Sequence, residues 1–204
     1  QIGRKNQKVL DMLNTKYIIQ YGNDEFTREI NNSMMQPRPT ALGNAWFVNQ
    51  VKIVENADEE IIALNESEGF DPASIAIVDK RYESLANGEY QKDMAGSIIL
   101  DSYKANLLKY TYSSSSEQLV VFSEIYYDEG WQAYIDGEPV DHFRTNYVLR
   151  GLKVPAGDHE ITFKYQLSSY STSSYISMVS TLLVLLLLGF AIYKEVKKGE
   201  LSKV

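Results

Sequence analysis

From Ile98 to Gln166, apolar and polar residues alternate in short runs. SIILDSY, ANLLKYTYS, QLVVFSEIYY, WQAYID, VDHFR, NYVLRGLKV and HEITFKYQ are each rich in β-branched and aromatic residues, and turn residues separate them. That pattern predicts successive short strands. In the last run Ile161, Phe163 and Tyr165 alternate with Thr162 and Lys164, the period of a sheet with one buried face. Asp136-Gly137 suits the positive φ angles of a type I′ turn, so WQAYI and EPVDHF are expected to form a hairpin around it. Pro155-Ala156-Gly157-Asp158 marks a second turn, and the run Ser113 to Ser116 reads as a solvated hairpin loop. About seven strands at this spacing predict an antiparallel β-sandwich, with a closed barrel as the alternative.

Upstream the periodicity is mixed. Lys5 to Leu13 reads as a short helix, TKYIIQY as a strand, and Ala57 to Asn65 as a helix. Asn56 is available as its N-cap, with Asp58, Glu59 and Glu60 in the favourable first turn. Ser74 to Val78 is a continuous apolar run, the mark of a buried strand. Asn31 to Thr40, with Pro37 and Pro39, reads as a loop or linker. No internal repeat is visible.

Between Tyr175 and Tyr193 the pattern changes to YISMVSTLLVLLLLGFAIY, without a charge. About 19 residues at 1.5 Å rise match the hydrocarbon thickness of a bilayer. Tyrosines bracket the run at headgroup level and lysines follow at once. A buried core helix is the alternative, but such helices are shorter and seldom carry an unbroken leucine block. The positive-inside rule puts the tail in the cytoplasm and the preceding domain outside it.

The fold expected is therefore mainly β. It comprises an antiparallel β-sandwich with a small mixed α/β N-terminal part and one C-terminal transmembrane helix. The divisions expected are 1–40 (a mixed segment ending a longer upstream region), 41–96 (mixed α/β), 97–170 (external β-sandwich), 175–193 (transmembrane helix) and 194–204 (basic cytoplasmic tail). The chain opens at Gln1 with no charged-then-apolar leader before the domain, which reads as the end of a longer protein.

Charge narrows the partners. The net charge of the 204 residues is −7. Lys194, Lys197, Lys198 and Lys203 against Glu195 and Glu200 make the tail about +2, leaving about −9 on the remainder. An acidic domain repels nucleic acid, which is discarded as a partner. The chain has no cysteine, so disulfides and thiolate chemistry are excluded.

Candidate chemistry clusters late in the domain. Tyr126, Tyr127, Trp131 and Tyr134 offer an aromatic platform on which a sugar face can stack, with Asp128, Glu129 or Asp136 accepting hydroxyl hydrogen bonds. The bland reading puts Trp131 and some tyrosines in the sandwich core, with Asp128-Glu129-Gly130 as a tight turn. With 15 tyrosines in the chain, clustering alone discriminates weakly. Asp128, Glu129, Asp136, Glu138 and Asp141 supply the carboxylates that a glycoside-cleaving pair would need, but several occupy turn positions that favour Asp anyway. Arg144, Asn146 and Arg150 surround NYVLRG. An arginine fork there can clamp a phosphate or carboxylate; structurally, Arg150 would pair with a carboxylate on a neighbouring strand and Asn146 would hold a turn open. His142 and His159 lack metal-ligand spacing, no glycine-rich phosphate loop is present, and neither metal nor cofactor is expected. Asn65-Glu66-Ser67 matches a glycosylation sequon.

Taken in order, SEIYYDEGWQAYIDGEPV, NYVLRGLKVPAGDHEITFKY and a terminal membrane helix resemble the C-terminal region of the bacterial YfhO membrane-protein family. VLDMLNTKYII and ALGNAWFVNQVKIV are similar to it too, so the resemblance runs from Val9 onward. It implies a polytopic membrane protein similar to integral-membrane glycosyltransferases that use lipid-linked sugar donors, some implicated in decorating cell-envelope polymers. In that class the catalytic carboxylates lie in an early external loop, so no residue here inherits a catalytic role. The expected role is an extracytoplasmic accessory domain with the last membrane helix. The bilayer and upstream transmembrane helices are its expected partners, and an envelope glycopolymer or lipid-linked sugar is a further candidate. The alternatives are a membrane-tethered carbohydrate- or protein-binding module without enzymatic role, and a hydrolase, which would need a convergent acid/base pair.

Overall fold

The computed structural model describes residues 6–19, 35–65, 69–166 and 168–201. Lys5, Gln20, Tyr21, the 31–34 part of the expected linker, Glu66, Ser67 and Lys203 lie outside the described residues. So do the side chains of Lys197 and Lys198.

Residues up to Tyr165 form one compact unit. It opens with α1 (Gln7–Met12), whose N-terminus is capped by the Asn6 side chain accepting from the Val9 N–H. β1 (Tyr17–Ile19) pairs antiparallel with β2 (Met35–Pro37), so the stretch expected as a linker contributes a strand. Pro37 is its last residue, and proline is tolerated at such edge positions because it has no N–H to donate. β3 (Ala45–Val48) and β4 (Gln50–Val54) follow, then α2 (Ala57–Ala63). As the sequence predicts, Asn56 caps α2: its side chain accepts from the N–H groups of Asp58 and Glu59, each at 3.0 Å. β5 (Ile75–Asp79) is buried and parallel to β4. A single 3-10 turn, Lys80–Tyr82, leads into α3 (Glu83–Ala86).

The remaining strands are β6 (Ser97–Lys104), β7 (Leu107–Ser114), β8 (Gln118–Ile125), β9 (Trp131–Ile135), β10 (Glu138–Val140), β11 (Phe143–Thr145), β12 (Leu149–Val154) and β13 (Gly157–Tyr165). They make two antiparallel sheets. The five-stranded sheet has the order β10-β9-β13-β7-β6, and the four-stranded sheet β11-β12-β8-β3. Both sheets are open, so the sandwich reading holds and the barrel does not. The Asp136-Gly137 hairpin forms as expected, with Ile135 opposite Glu138 and φ positive at both turn residues.

Two local expectations need correction. The serine run is not a hairpin loop: β7 pairs with β6 and β13 while β8 pairs with β12 and β3, so Ser115 to Glu117 carry the chain between sheets. The Asp93 carboxylate fixes this corner, accepting from the Ser115 N–H and hydroxyl at 2.7 Å each. VDHFR is likewise not one strand. It breaks at Asp141-His142, with β10 in one sheet and β11 in the other.

Burial explains the layering. Phe47, Val120, Phe122, Leu152 and Val154 point from the four-stranded sheet toward Tyr110, Ala133, Ile161 and Phe163 of the five-stranded one. Their neighbours Trp46, Val48, Leu119, Val121 and Leu149 face the other way, onto Val54, Ala63, Ile77 and Ala86 of the α/β part. The middle sheet is thus buried on both faces, so Gln118 to Phe122 of β8 and Leu149 to Leu152 of β12 are buried at every position. β3 joins that sheet across the division expected between 96 and 97, so the mixed part and the sandwich share a sheet.

The second unit contains α4 (Ser168–Leu201). Its stretch Ser173–Lys194 is long and apolar enough to cross a bilayer, with mean hydropathy 2.4, and it is not buried within the protein. Ser180 and Thr181 satisfy their hydroxyls by donating to the carbonyls of Ile176 and Ser177, at 2.8 Å each.

Candidate functional site

Three loops converge at one end of the sandwich. The loop after β8 is tied to the β11–β12 loop by the Tyr126 N–H donating to the Val148 carbonyl at 2.7 Å. The turn after β5 brings Tyr82 against them, its ring 6.0 Å from that of Tyr126 and edge-on. Between these loops lies a cleft of about 520 Å³, walled by Arg81, Tyr82, Tyr126, Tyr127, Arg144 and Tyr147, with Asp128 and Glu129 beside them.

The polar floor is built around three charged side chains. Arg144 donates to the fully buried Glu60 at 2.7 Å and to Asp79 at 3.4 Å. Glu60 also accepts the Tyr147 N–H at 2.7 Å. Burial pushes the Glu60 carboxyl above its ordinary value, against the pull of that N–H and of Arg144. Burial also pushes Asp79 up, but hydrogen bonds from Arg81 and the charges of Arg81 and Arg144 outweigh it, and its carboxyl ends below the usual range. The Tyr126 hydroxyl is raised by burial and by its bonds to Tyr82 and Asp128, so it stays a donor at physiological pH and holds Asp128 Oδ1 at 2.8 Å.

Asn146 and Tyr147 both have positive φ, 49° and 69°. Two consecutive non-glycine residues in that region carry local strain that the surroundings must hold. Asn146 is held by Ile77, and Tyr147 presents its ring to the cleft 5.7 Å from the Arg144 guanidinium.

The structure thus gathers Tyr126, Tyr127 and Arg144 in one cleft, with Asn146 supporting it from behind. Trp131 and Arg150 lie deeper. Arg150 is 3% exposed, donates Nε–H to the Ile125 carbonyl at 3.1 Å, and stacks 4.2 Å from the Trp131 ring centre and 5.2 Å from that of Phe163. No carboxylate among the described residues lies within ion-pair distance of it, so the ion pair expected with a neighbouring strand is replaced by stacking between rings. Tyr134 and Asp136 are elsewhere, on the five-stranded sheet. Tyr134 lies under the Lys164 ammonium at 4.7 Å, and Asp136 holds the Glu160 N–H at 2.9 Å and His159 Nδ1 at 2.5 Å. Sequence reasoning missed Arg81, Tyr82 and Tyr147, and with them the buried pair Glu60 and Asp79. The available signal was position: Asp79 to Tyr82 lie at the carboxyl end of a buried parallel strand, where open α/β sheets place ligands. Among the described residues, no cluster of acidic or histidine side chains is arranged to hold a metal.

The family described as bacterial membrane protein YfhO matches this chain over residues 13–177, which include both sheets and every residue of the cleft. The chain belongs to the YfhO family. A relative, the uncharacterized protein YfhO of Bacillus subtilis (strain 168), is 28% identical over 123 residues. That alignment takes in 60% of this chain and 14% of the relative, so this YfhO-family chain spans a small part of its length. No solved structure matches the chain.

Proposed function

We propose that this chain is the extracytoplasmic accessory domain and a membrane helix of a YfhO-family protein that acts in glycosylation of cell-envelope polymers, and that the tyrosine-walled cleft holds a saccharide. The observation that carries the reading is the cleft itself. Tyr82, Tyr126, Tyr127 and Tyr147 line it with aromatic rings against which sugar C–H surfaces can pack, while Asp128, Glu129 and Arg81 supply acceptors and donors for hydroxyl groups. Family membership supports the membrane setting. The lysines after the apolar helix favour a cytoplasmic tail and hence a domain on the other side.

The test is saturation-transfer NMR on the full chain in nanodiscs, with glucose, galactose and N-acetylglucosamine oligosaccharides as probes. Transfer to at least one probe is expected, lost in Tyr126→Ala and Tyr147→Ala and kept in Tyr134→Ala, whose ring lies outside the cleft. No transfer to any probe, or transfer indifferent to the cleft variants, overturns the reading.

A further inference from the structure

The end of the sandwich at which β13 finishes carries an apolar rim. The Tyr165 N–H donates to the Asn106 carbonyl at 2.9 Å, which fixes the β6–β7 turn there, and its ring stacks 5.4 Å from Trp131 at the start of β9. The 126–130 loop closes over the same ring. A Cβ added to Gly130 would come within 2.8 Å of it, so only glycine fits this approach. Arg150 ties in the end of β8, bonding the Ile125 carbonyl while lying on Trp131. Tyr103, Ile125 and Tyr127 are therefore brought to one end of the unit, and they are 66%, 60% and 52% exposed. Among the described residues 97–165 only one other large apolar side chain is so exposed, Ile99, which lies on the flank of β6. Exposed apolar side chains gathered at one end mark an interaction surface.

Its occupant follows from where the chain goes. Residues 166–172 separate Tyr165 from the stretch Ser173–Lys194 that is apolar enough to span a bilayer. Even fully extended, that link reaches less than about 28 Å. We propose that Tyr103, Ile125 and Tyr127 dock into the headgroup layer of the bilayer that the helix spans. Tyrosine rings favour that layer because one part of the ring is apolar and the hydroxyl stays wet. Charge plays little part. Lys104, Arg81 and Arg144 lie near the rim together with Asp128 and Glu129, and Arg81 and Arg144 are paired with Asp79 and Glu60, so neither sign dominates and the contact is apolar. Ile125 and Tyr127 also line the cleft, so docking of this rim brings the mouth of the cleft to the membrane surface.

The absence of native cysteine makes the test direct. Tyr103→Cys, Ile125→Cys and Tyr127→Cys are labelled with a polarity-sensitive fluorophore in the full chain, reconstituted in phosphatidylethanolamine–phosphatidylglycerol vesicles. Ile99→Cys serves as a control on the flank, and Met94→Cys, 88% exposed and beside the Asp93–Ser115 corner at the opposite end, as a second. Nitroxide lipids should quench the three rim positions several-fold more than the controls, with iodide access reduced to match, at low and high salt alike. A Tyr127→Trp variant reads the same contact without a label, as brominated-lipid quenching beyond that of Trp46 and Trp131 in the parent chain. Equal lipid quenching at all five positions overturns the proposal. Loss of iodide access without lipid quenching also overturns it, because a protein then covers the rim.

Discussion

Asn146 pairs with Ile77 as though it were one residue of an added strand. Its N–H donates to the Ile77 carbonyl at 2.8 Å, and its side-chain Oδ1 accepts the Ile77 N–H at the same distance. The Thr145 hydroxyl donates to the same carbonyl at 2.9 Å. The amide thus supplies the acceptor that a strand backbone would, while the positive φ at Asn146 turns the chain to bring Tyr147 toward the cleft.

Asn146→Ala should therefore leave the buried Ile77 N–H unsatisfied and force alanine into positive φ, costing about 2–4 kcal/mol. Asn146→Gly keeps the backbone conformation and should lose less, about 1–2 kcal/mol. Urea unfolding of the chain in detergent micelles measures both. Equal losses would show that the side-chain bond, not φ, sets the cost.

Gly151 is required by Phe143 across the β11–β12 pair. A Cβ there would meet the Phe143 ring at 2.5 Å, and both residues are buried. Gly151→Ala should destabilise by about 1–3 kcal/mol through overpacking, and adding Phe143→Leu should recover part of it. A double-mutant cycle gives the coupling; simple additivity would show that the two do not collide.

His142 predicts how stability depends on pH. Burial, aided by the nearby Arg150 charge, lowers its pKa from 6.5 to about 4. The folded state thus disfavours the proton that the unfolded chain takes up below 6.5. The stabilisation is fully present above that pH and is lost as pH falls through 4, by about 3 kcal/mol at most. His142→Phe should keep the packing against Tyr126 and Phe163 and flatten the unfolding free energy between pH 7 and 4. An unchanged slope would assign the pH dependence to other groups.

Arg150 is predicted to contribute packing more than charge. Burial lowers its pKa, and its Nη1 has no hydrogen-bond partner among the described residues. Arg150→Met keeps the bulk between Trp131 and Phe163 and should change stability by less than about 1 kcal/mol, whereas Arg150→Ala should lose about 2–4 kcal/mol to the cavity. Loss of several kcal/mol in the methionine variant, measured by the same unfolding assay, would show that the guanidinium's bond to Ile125 dominates.

What the sequence determined by itself was local. Alternation in HEITFKY, the Asp136-Gly137 turn, the Asn56 cap and the uncharged leucine run each act over a few residues, where backbone sterics and water exclusion decide the outcome. The sandwich and the apolar helix were legible for that reason, and so was the tyrosine pair Tyr126 and Tyr127. Only the tertiary structure decided where strands change sheets, because a corner at Ser115 to Glu117 and a hairpin loop have the same composition. It also decided the cleft. Tyr82, Tyr126, Arg144 and Tyr147 meet through long-range contacts such as Glu60 with Arg144, 84 residues apart. Which charges share a buried pair depends on how the layers stack, and no spacing along the chain encodes that.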